Sequence, residues 1–115
     1  MKYYGCLDEL SEDDDRRPLY EAQRKERGFD DSECWNLDNT LGQFLVPRLK
    51  VFKENTHSYP PGLAEEEWDA ILQEMIDGFE IVADYDLCYG HDEENNKKRD
   101  RAIHLLSEYF NHLWD

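Results

Sequence analysis

LGQFLVPRLKVF, residues 41–52, is the strongest helical pattern in the chain, yet Pro47 lies within it. Its apolar residues recur every three or four positions, which is typical of one face of an α-helix. The full stripe is Leu37, Leu41, Phe44, Leu45, Leu49 and Phe52. Pro47 has no amide hydrogen and crowds the Gln43 carbonyl, at a cost of roughly 3 kcal/mol in a straight helix. Because the stripe keeps its phase across Pro47, the pattern predicts one helix with a bend near residues 43–47.

Two further segments, 63–82 and 99–115, are also amphipathic, and residues 16–28 form a short helical pattern that ends at Gly28. Gly78 costs its helix about 1 kcal/mol relative to alanine, which indicates close packing with a neighbour. The expected core positions are Trp68, Ile71, Leu72, Met75, Phe79 and Val82, followed by Ile103, Leu105, Leu106, Tyr109, Phe110, Leu113 and Trp114. No alternating strand pattern is present. We expect an all-α fold, a small helical bundle of three main amphipathic helices plus a short N-terminal helix.

The length of 115 residues suits one modest core. Residues 8–15, DELSEDDD, contain six acids that repel one another and bury little. The sequence therefore predicts an acidic flexible N-terminal segment over residues 1–16 and a single helical domain over residues 17–115. The three cysteines are far apart and odd in number, which favours reduced thiols in a cytosolic protein.

The charge balance restricts the class of partner. The chain has 28 acidic and 13 basic residues, a formal net charge of −15. This charge disfavours direct binding to nucleic acid or to an anionic membrane surface, because both are polyanions. It favours attraction to a basic protein surface. No apolar run approaches the roughly 18 residues of a membrane-spanning helix, so we expect a cytoplasmic protein without membrane contact.

Three acids on the second main helix suggest a metal-dependent enzyme. Glu66, Glu74 and Asp77 are the residue types that hold magnesium in nucleotide pyrophosphohydrolases built from helices. At about 100° per residue, however, these acids point away from the apolar stripe of their helix. We therefore favour the interpretation that these acids lie on a helix face exposed to solvent, and we expect no metal and no cofactor. The four histidines do not have the spacing of a zinc site.

Two other groups of residues are candidates for binding. Tyr59 and Trp68, together with the cations Arg48 and Lys53, could enclose a small ligand or nucleotide. Asp38 lies beside the apolar stripe of the first main helix, so we expect a partly buried carboxylate. Such a carboxylate needs a hydrogen-bond donor, either an arginine or a backbone amide.

Several short motifs resemble those of small uncharacterised bacteriophage proteins. They are Trp-x-Leu-Asp at Trp35–Asp38, Pro-Arg-Leu-Lys at Pro47–Lys50, Tyr-Pro at Tyr59–Pro60, Glu-Glu-Trp at Glu66–Trp68 and Leu-Trp-Asp at Leu113–Asp115. The resemblance spans residues 27–82 and 108–115. It implies a phage origin and a host-cell setting, but it carries no activity.

The leading hypothesis is a non-enzymatic phage accessory protein that binds a host protein with a basic surface. As an inhibitor or counter-defence factor, it could mimic nucleic-acid phosphates. The alternatives are a magnesium-dependent nucleotide pyrophosphohydrolase-like enzyme, which would use Glu66, Glu74 and Asp77, and a module that sequesters a small ligand or nucleotide. The wide apolar faces of so short a chain also suggest a homodimer.

Overall fold

The computed structural model describes residues 4–114, which contain α-helices, short 3₁₀ turns and no strand. The predicted all-α architecture is confirmed. Contacts divide the chain into two compact units, one through Thr40 and one from Leu41 onward. In the described part of the chain the α-helices are α1 (Arg17–Arg27), α2 (Leu37–Asn55), α3 (Glu65–Ala83), α4 (Tyr85–Cys88) and α5 (Glu93–Glu108). The 3₁₀ turns span Leu7–Glu9, Asp31–Cys34 and Phe110–His112. None of the helices within residues 4–114 has the length and apolar character required to cross a bilayer.

The N-terminal unit is built around α1. Gly28 ends this helix in the left-handed conformation, with φ of 87°, and its N–H donates to the Arg24 carbonyl. Glycine suits this position because it has no Cβ to clash. The Arg17 guanidinium donates to the carbonyls of Leu7 and Leu10, each over 2.9 Å. These bonds attach the described part of the acidic segment to α1, whereas the sequence suggested a boundary after residue 16.

The unit from Leu41 onward has its core on α3. The predicted stripe of this helix is confirmed, with Ile71 packed at its margin. The buried cluster comprises Leu49, Trp68, Leu72, Met75, Ile76, Phe79, Val82, Ala102 and Leu105. Fully burying each large apolar side chain contributes about 1.5–3 kcal/mol to folding. Helix α3 supplies six of these nine buried residues.

Two glycines allow neighbouring helices to approach closely. A Cβ on Gly78 would collide with the Ala102 side chain and the Lys98 carbonyl of α5. A Cβ on Gly42 would lie 2.7 Å from the Ala83 backbone nitrogen at the end of α3. The close packing predicted from Gly78 is thus confirmed.

Helix α2 runs without interruption through Pro47, as the phase of its stripe predicted. The predicted burial of that stripe was only partly correct. Leu49 is buried, but Leu37, Leu41 and Phe44 are exposed. The Phe44 ring is covered by the Arg48 guanidinium of its own helix, 3.9 Å from the ring centroid. The bend near residues 43–47 stays a prediction.

The face of α5 that enters the core also differs from the predicted one. Ala102 and Leu105 are buried, whereas Ile103 and Phe110 are exposed. The close approach at Gly78 selects the small Ala102 side chain, because a bulky residue would not fit there. Phe110 lies beyond the end of α5 in a 3₁₀ turn, whose tighter winding shifts side chains out of the α-helical register.

Candidate functional site

The segment that joins α2 to α3 borders two cavities in the unit from Leu41 onward. The Thr56 N–H donates to the Phe52 carbonyl and ends α2. Pro60 is buried, and Gly62 turns the chain with φ of 87°. The Leu63 N–H closes the turn on the Pro60 carbonyl over 3.2 Å. This rigid turn presents Ser58 and Tyr59 between two adjoining cavities.

The first cavity, the inner cavity, lies between the end of α2 and the start of α3. Its volume of about 40 Å³ accommodates one or two water molecules. It is lined by Lys53, Thr56, His57, Ser58, Tyr59, Glu65, Trp68, Asp69 and Leu72. The Lys53 Nζ lies 3.5 Å from an Asp69 carboxylate oxygen.

Trp68, which lines the inner cavity, carries a buried polar atom without a partner among the described residues. Its side chain is 2% exposed, and its indole nitrogen Nε1 has no hydrogen-bond acceptor among residues 4–114. A buried donor without an acceptor costs about 1–3 kcal/mol. The indole ring also packs edge-on against Tyr109, with 5.5 Å between ring centroids. A water molecule or a small ligand with an acceptor atom would remove the cost.

The second cavity, the outer groove, lies where the α2–α3 segment faces the C-terminal turn. Its volume is about 320 Å³. It is lined by Ser58, Tyr59, Pro60, Pro61, Asn111, His112 and Trp114. Tyr59 is 51% exposed and Trp114 is 70% exposed, so both rings are presented to solvent. The Trp114 Nε1 donates to the Asn111 carbonyl over 2.8 Å, which fixes the orientation of that ring.

The structure brings together three of the four residues predicted to enclose a ligand. Lys53, Tyr59 and Trp68 all line the inner cavity. Arg48 is absent from the lining, because its guanidinium stacks on Phe44 and donates to the Phe44 carbonyl over 3.0 Å. The part of Arg48 in binding a ligand with this group stays a prediction.

Of the predicted acidic trio, Glu74 and Asp77 line a shared cavity of about 280 Å³ with Glu94, Lys97, Lys98 and Arg101, and Glu66 is not among its lining residues. Glu74 accepts a hydrogen bond from Arg101 of α5 over 3.1 Å, and Asp77 accepts one from Gln73 over 2.8 Å. Glu66 is exposed in the first turn of the helix. Residues 4–114 contain no group of three or more His, Cys, Asp or Glu side chains that could hold a metal ion. The acids of α3 thus form a charged outer face.

Asp38 is exposed, so the expectation of a partly buried carboxylate was wrong. The reason is that Leu37 and Leu41, which flank it on the same helix, are themselves exposed. The carboxylate accepts a hydrogen bond from the Asn39 backbone N–H over 2.8 Å. Of the donors proposed from the sequence, a backbone amide is therefore a partner of this carboxylate.

Sequence reasoning missed a buried ionic network in the N-terminal unit. The Asp30 carboxylate is fully buried and accepts hydrogen bonds from Arg24 Nε, over 2.6 Å, and from the N–H and hydroxyl of Ser32. The Glu33 carboxylate accepts a hydrogen bond from the Asp30 backbone N–H over 2.7 Å, which completes a capping box. The spacing Asp-x-x-Glu at residues 30–33 is the local signal for this box. No local signal marks Arg24 as the partner of Asp30, because it reaches the carboxylate from the last turn of the preceding helix.

The network also reaches the start of the chain. Arg24 donates to the Tyr4 carbonyl over 2.9 Å, and the Cys6 N–H donates to the Ser32 hydroxyl over 3.0 Å. Nearby, hydrogen bonds from Gln23 and Arg27 hold the pKa of Asp31 below its usual value. These contacts connect the described start of the chain to the Asp31–Cys34 turn, and the Asp30 side chain is fully buried among them.

The basic side chains are largely engaged within the chain. At least nine of the twelve Lys and Arg residues in positions 4–114 lie within 4.0 Å of a carboxylate oxygen. Lys50, for example, contacts Glu80 at 2.9 Å. Each paired cation offsets one negative charge, and the acids in excess of the cations remain as exposed carboxylates. This surplus is carried by both units.

No protein-family model, curated protein or solved structure matches this chain, so its possible functions follow from its own residues and their contacts.

Proposed function

We propose that this protein is a non-catalytic accessory protein, encoded by a phage, that binds a host protein through a basic surface of that protein. It acts in the host cytoplasm as an inhibitor or counter-defence factor. Its exposed carboxylates occupy a groove that otherwise receives nucleic-acid phosphates. The observation that supports this proposal is that most Lys and Arg side chains pair with carboxylates of the same chain. The excess negative charge is therefore left on carboxylates exposed to solvent.

Several exposed acids have no basic partner within the described residues. Glu12, Asp13 and Asp15 lie in the N-terminal segment, and Glu65 and Glu66 lie in the first turn of α3. Asp86 lies in α4, and Glu93 is the first residue of α5. Exposed like charges repel one another and are screened over about 8 Å at physiological salt. A basic partner surface would relieve this repulsion and accelerate association.

A capture experiment from a bacterial host lysate tests the proposal. The immobilised chain should retain a host protein with a basic surface at low salt and release it at high salt. The purified partner should then bind the chain with an affinity that falls steeply as salt rises. A partner with an acidic surface, or binding that is insensitive to salt, would contradict the proposal.

Charge-neutralising variants locate the contribution of the acids. Replacing Glu12, Asp13 and Asp15 by their amides removes three charges from one unit, and Glu65→Gln with Glu66→Gln removes two from the other. Each set should slow association with the partner and leave the unfolding temperature almost unchanged, since exposed charges contribute little to stability. Lys25→Gln, at an exposed cation, is the control and should not slow association.

A second candidate function is the sequestration of a small ligand at the inner cavity. The buried Trp68 Nε1 without an acceptor is the observation that favours it. The volume is far below the roughly 300 Å³ of a drug-sized pocket, so the enclosed part suits a ligand of only a few atoms. A thermal-shift screen of small acceptor-bearing molecules tests this function. Trp68→Phe removes the donor and should abolish any stabilisation that the wild-type chain shows.

A further inference from the structure

We infer that the outer groove binds an arginine side chain of the basic partner, between the rings of Tyr59 and Trp114. The inference rests on the proposed function and names the place where the partner binds. Both rings line the groove, and both are more than half exposed. Aromatic faces attract guanidinium groups by cation–π interaction and stacking.

The contrast with other rings of the same chain supports an external cation. Arg48 covers Phe44 at 3.9 Å, and Arg27 covers Phe29 at 4.4 Å, each measured to the ring centroid. Within residues 4–114, no cation of the chain itself covers Trp114 or Tyr59. The groove rings are therefore open to a guanidinium from another molecule.

The groove is also preorganised. The Trp114 indole N–H already donates to the Asn111 carbonyl over 2.8 Å, so the polar edge of this ring has a partner within the chain. On the opposite side, the turn through Pro60 and Pro61 restricts the backbone that carries Tyr59. A site whose parts are fixed before binding loses less conformational entropy when the ligand arrives.

The acidic surplus of this unit favours a cationic occupant, and because no carboxylate is among the described residues that line the groove, the two rings would hold the guanidinium by stacking rather than by an ion pair. The unit from Leu41 onward has sixteen acidic and seven basic residues. Glu65 lines the inner cavity, which shares Ser58 and Tyr59 with the groove, and its carboxylate has no basic partner among the described residues. The nearby cation Lys53 is offset by Asp69. A second copy of this acidic chain would bring like charge to the groove, so a homodimer there is disfavoured.

Titration of the full-length chain with a nona-arginine peptide tests the inference. The indole signals of the three tryptophans, followed by two-dimensional NMR, report each ring separately. At low salt the peptide should shift the Trp114 signal and leave the buried Trp68 signal in place. Trp114→Ala and Tyr59→Ala should each weaken binding by about two- to fivefold, as expected for loss of one exposed cation–π contact. A nona-lysine peptide should bind less tightly, because it lacks a planar stacking group.

Phe110→Ala is the matched control, since Phe110 is 66% exposed but does not line the groove. It should bind the peptide as the wild-type chain does. Absence of peptide binding at low salt would overturn both the inference and the proposed function. Binding that is unchanged in Trp114→Ala and Tyr59→Ala would overturn the inference alone. A larger Trp114 shift with a proline-rich peptide, or dimerisation lost in Trp114→Ala, would assign the groove to another occupant.

Discussion

Arg24 and Asp30 form an ion pair, 2.6 Å from Nε to Oδ2, in which the carboxylate is fully buried. The pair joins the last turn of α1 to the turn that precedes α2. Through further bonds of Arg24 and Ser32, it also holds the chain at Tyr4 and Cys6. An enclosed charge is tolerated only when it is paired and hydrogen-bonded, and Asp30 meets both conditions. This network organises the N-terminal unit, whose apolar core is small.

Asp30→Asn is expected to destabilise the N-terminal unit by up to about 3–5 kcal/mol, because it leaves the largely buried Arg24 cation with the longer, 3.9 Å contacts to Asp8 and Glu33. Amide hydrogen exchange over residues 4–40 measures the loss locally, and urea unfolding measures it globally. Asp31→Asn is the control, since its pair with Arg27 is solvent-exposed and should matter far less. Equal losses in the two variants would show that the network is not the main support of this unit.

Gly78→Ala is expected to destabilise the unit from Leu41 onward by about 1–3 kcal/mol through overpacking against Ala102 and the Lys98 carbonyl. Helix propensity alone predicts the opposite sign, a gain of about 1 kcal/mol. The control Ala70→Gly, at an exposed position of α3, should lose about 1 kcal/mol by propensity. Urea denaturation of both variants decides the point. A stabilised Gly78→Ala variant would mean that α5 can move away without cost.

Pro47→Ala is expected to stabilise α2 by up to about 3 kcal/mol, because it restores an N–H that can donate to the Gln43 carbonyl. The gain will be smaller if a bend already relieves the clash with the proline ring. Thermal and urea unfolding measure it. Pro61→Ala, in the connecting turn, should instead lose about 0.4–1 kcal/mol by loosening the unfolded chain. A destabilised Pro47→Ala variant would show that the core requires the proline geometry.

Stability should decrease at alkaline pH because of Tyr20. Burial raises the pKa of this phenol above its ordinary value of 10.0. The folded chain therefore holds the proton more tightly than the unfolded chain does. The contribution of the protonated Tyr20 phenol to the free energy of unfolding is complete below pH 10.0 and is lost as the pH rises through the folded-state pKa.

The pH dependence of the urea midpoint measures this loss, which Tyr20→Phe should reduce. Tyr59→Phe, at an exposed ring, is the control and should retain the wild-type alkaline loss. If Tyr20→Phe retained the full loss, the titration of other groups would be its cause.

The sequence predicted the helices because their signals are local. Apolar spacing placed α2 and α3, the uninterrupted phase across Pro47 predicted one helix there, and Gly28 marked the end of α1. These features depend on residues within a few positions of one another, so no knowledge of the neighbouring helices was needed. The structure also places Lys53, Tyr59 and Trp68 at one cavity, because Lys53 and Trp68 lie at the adjoining ends of two helices and Tyr59 lies in the segment between them.

The burial of particular faces was decided only by tertiary packing. An apolar stripe can rotate by one residue with little change in its periodicity, so the sequence could not distinguish Ala102 from Ile103 as the buried residue of α5. The close approach permitted by Gly78 made that choice. In the same way, the Asp-x-x-Glu spacing at residues 30–33 is a local signal, but only the folded chain brought Arg24 to Asp30 and enclosed the pair. The sequence thus determined the helices and the excess negative charge, and packing between distant segments determined which side chains were buried and which remained open to a partner.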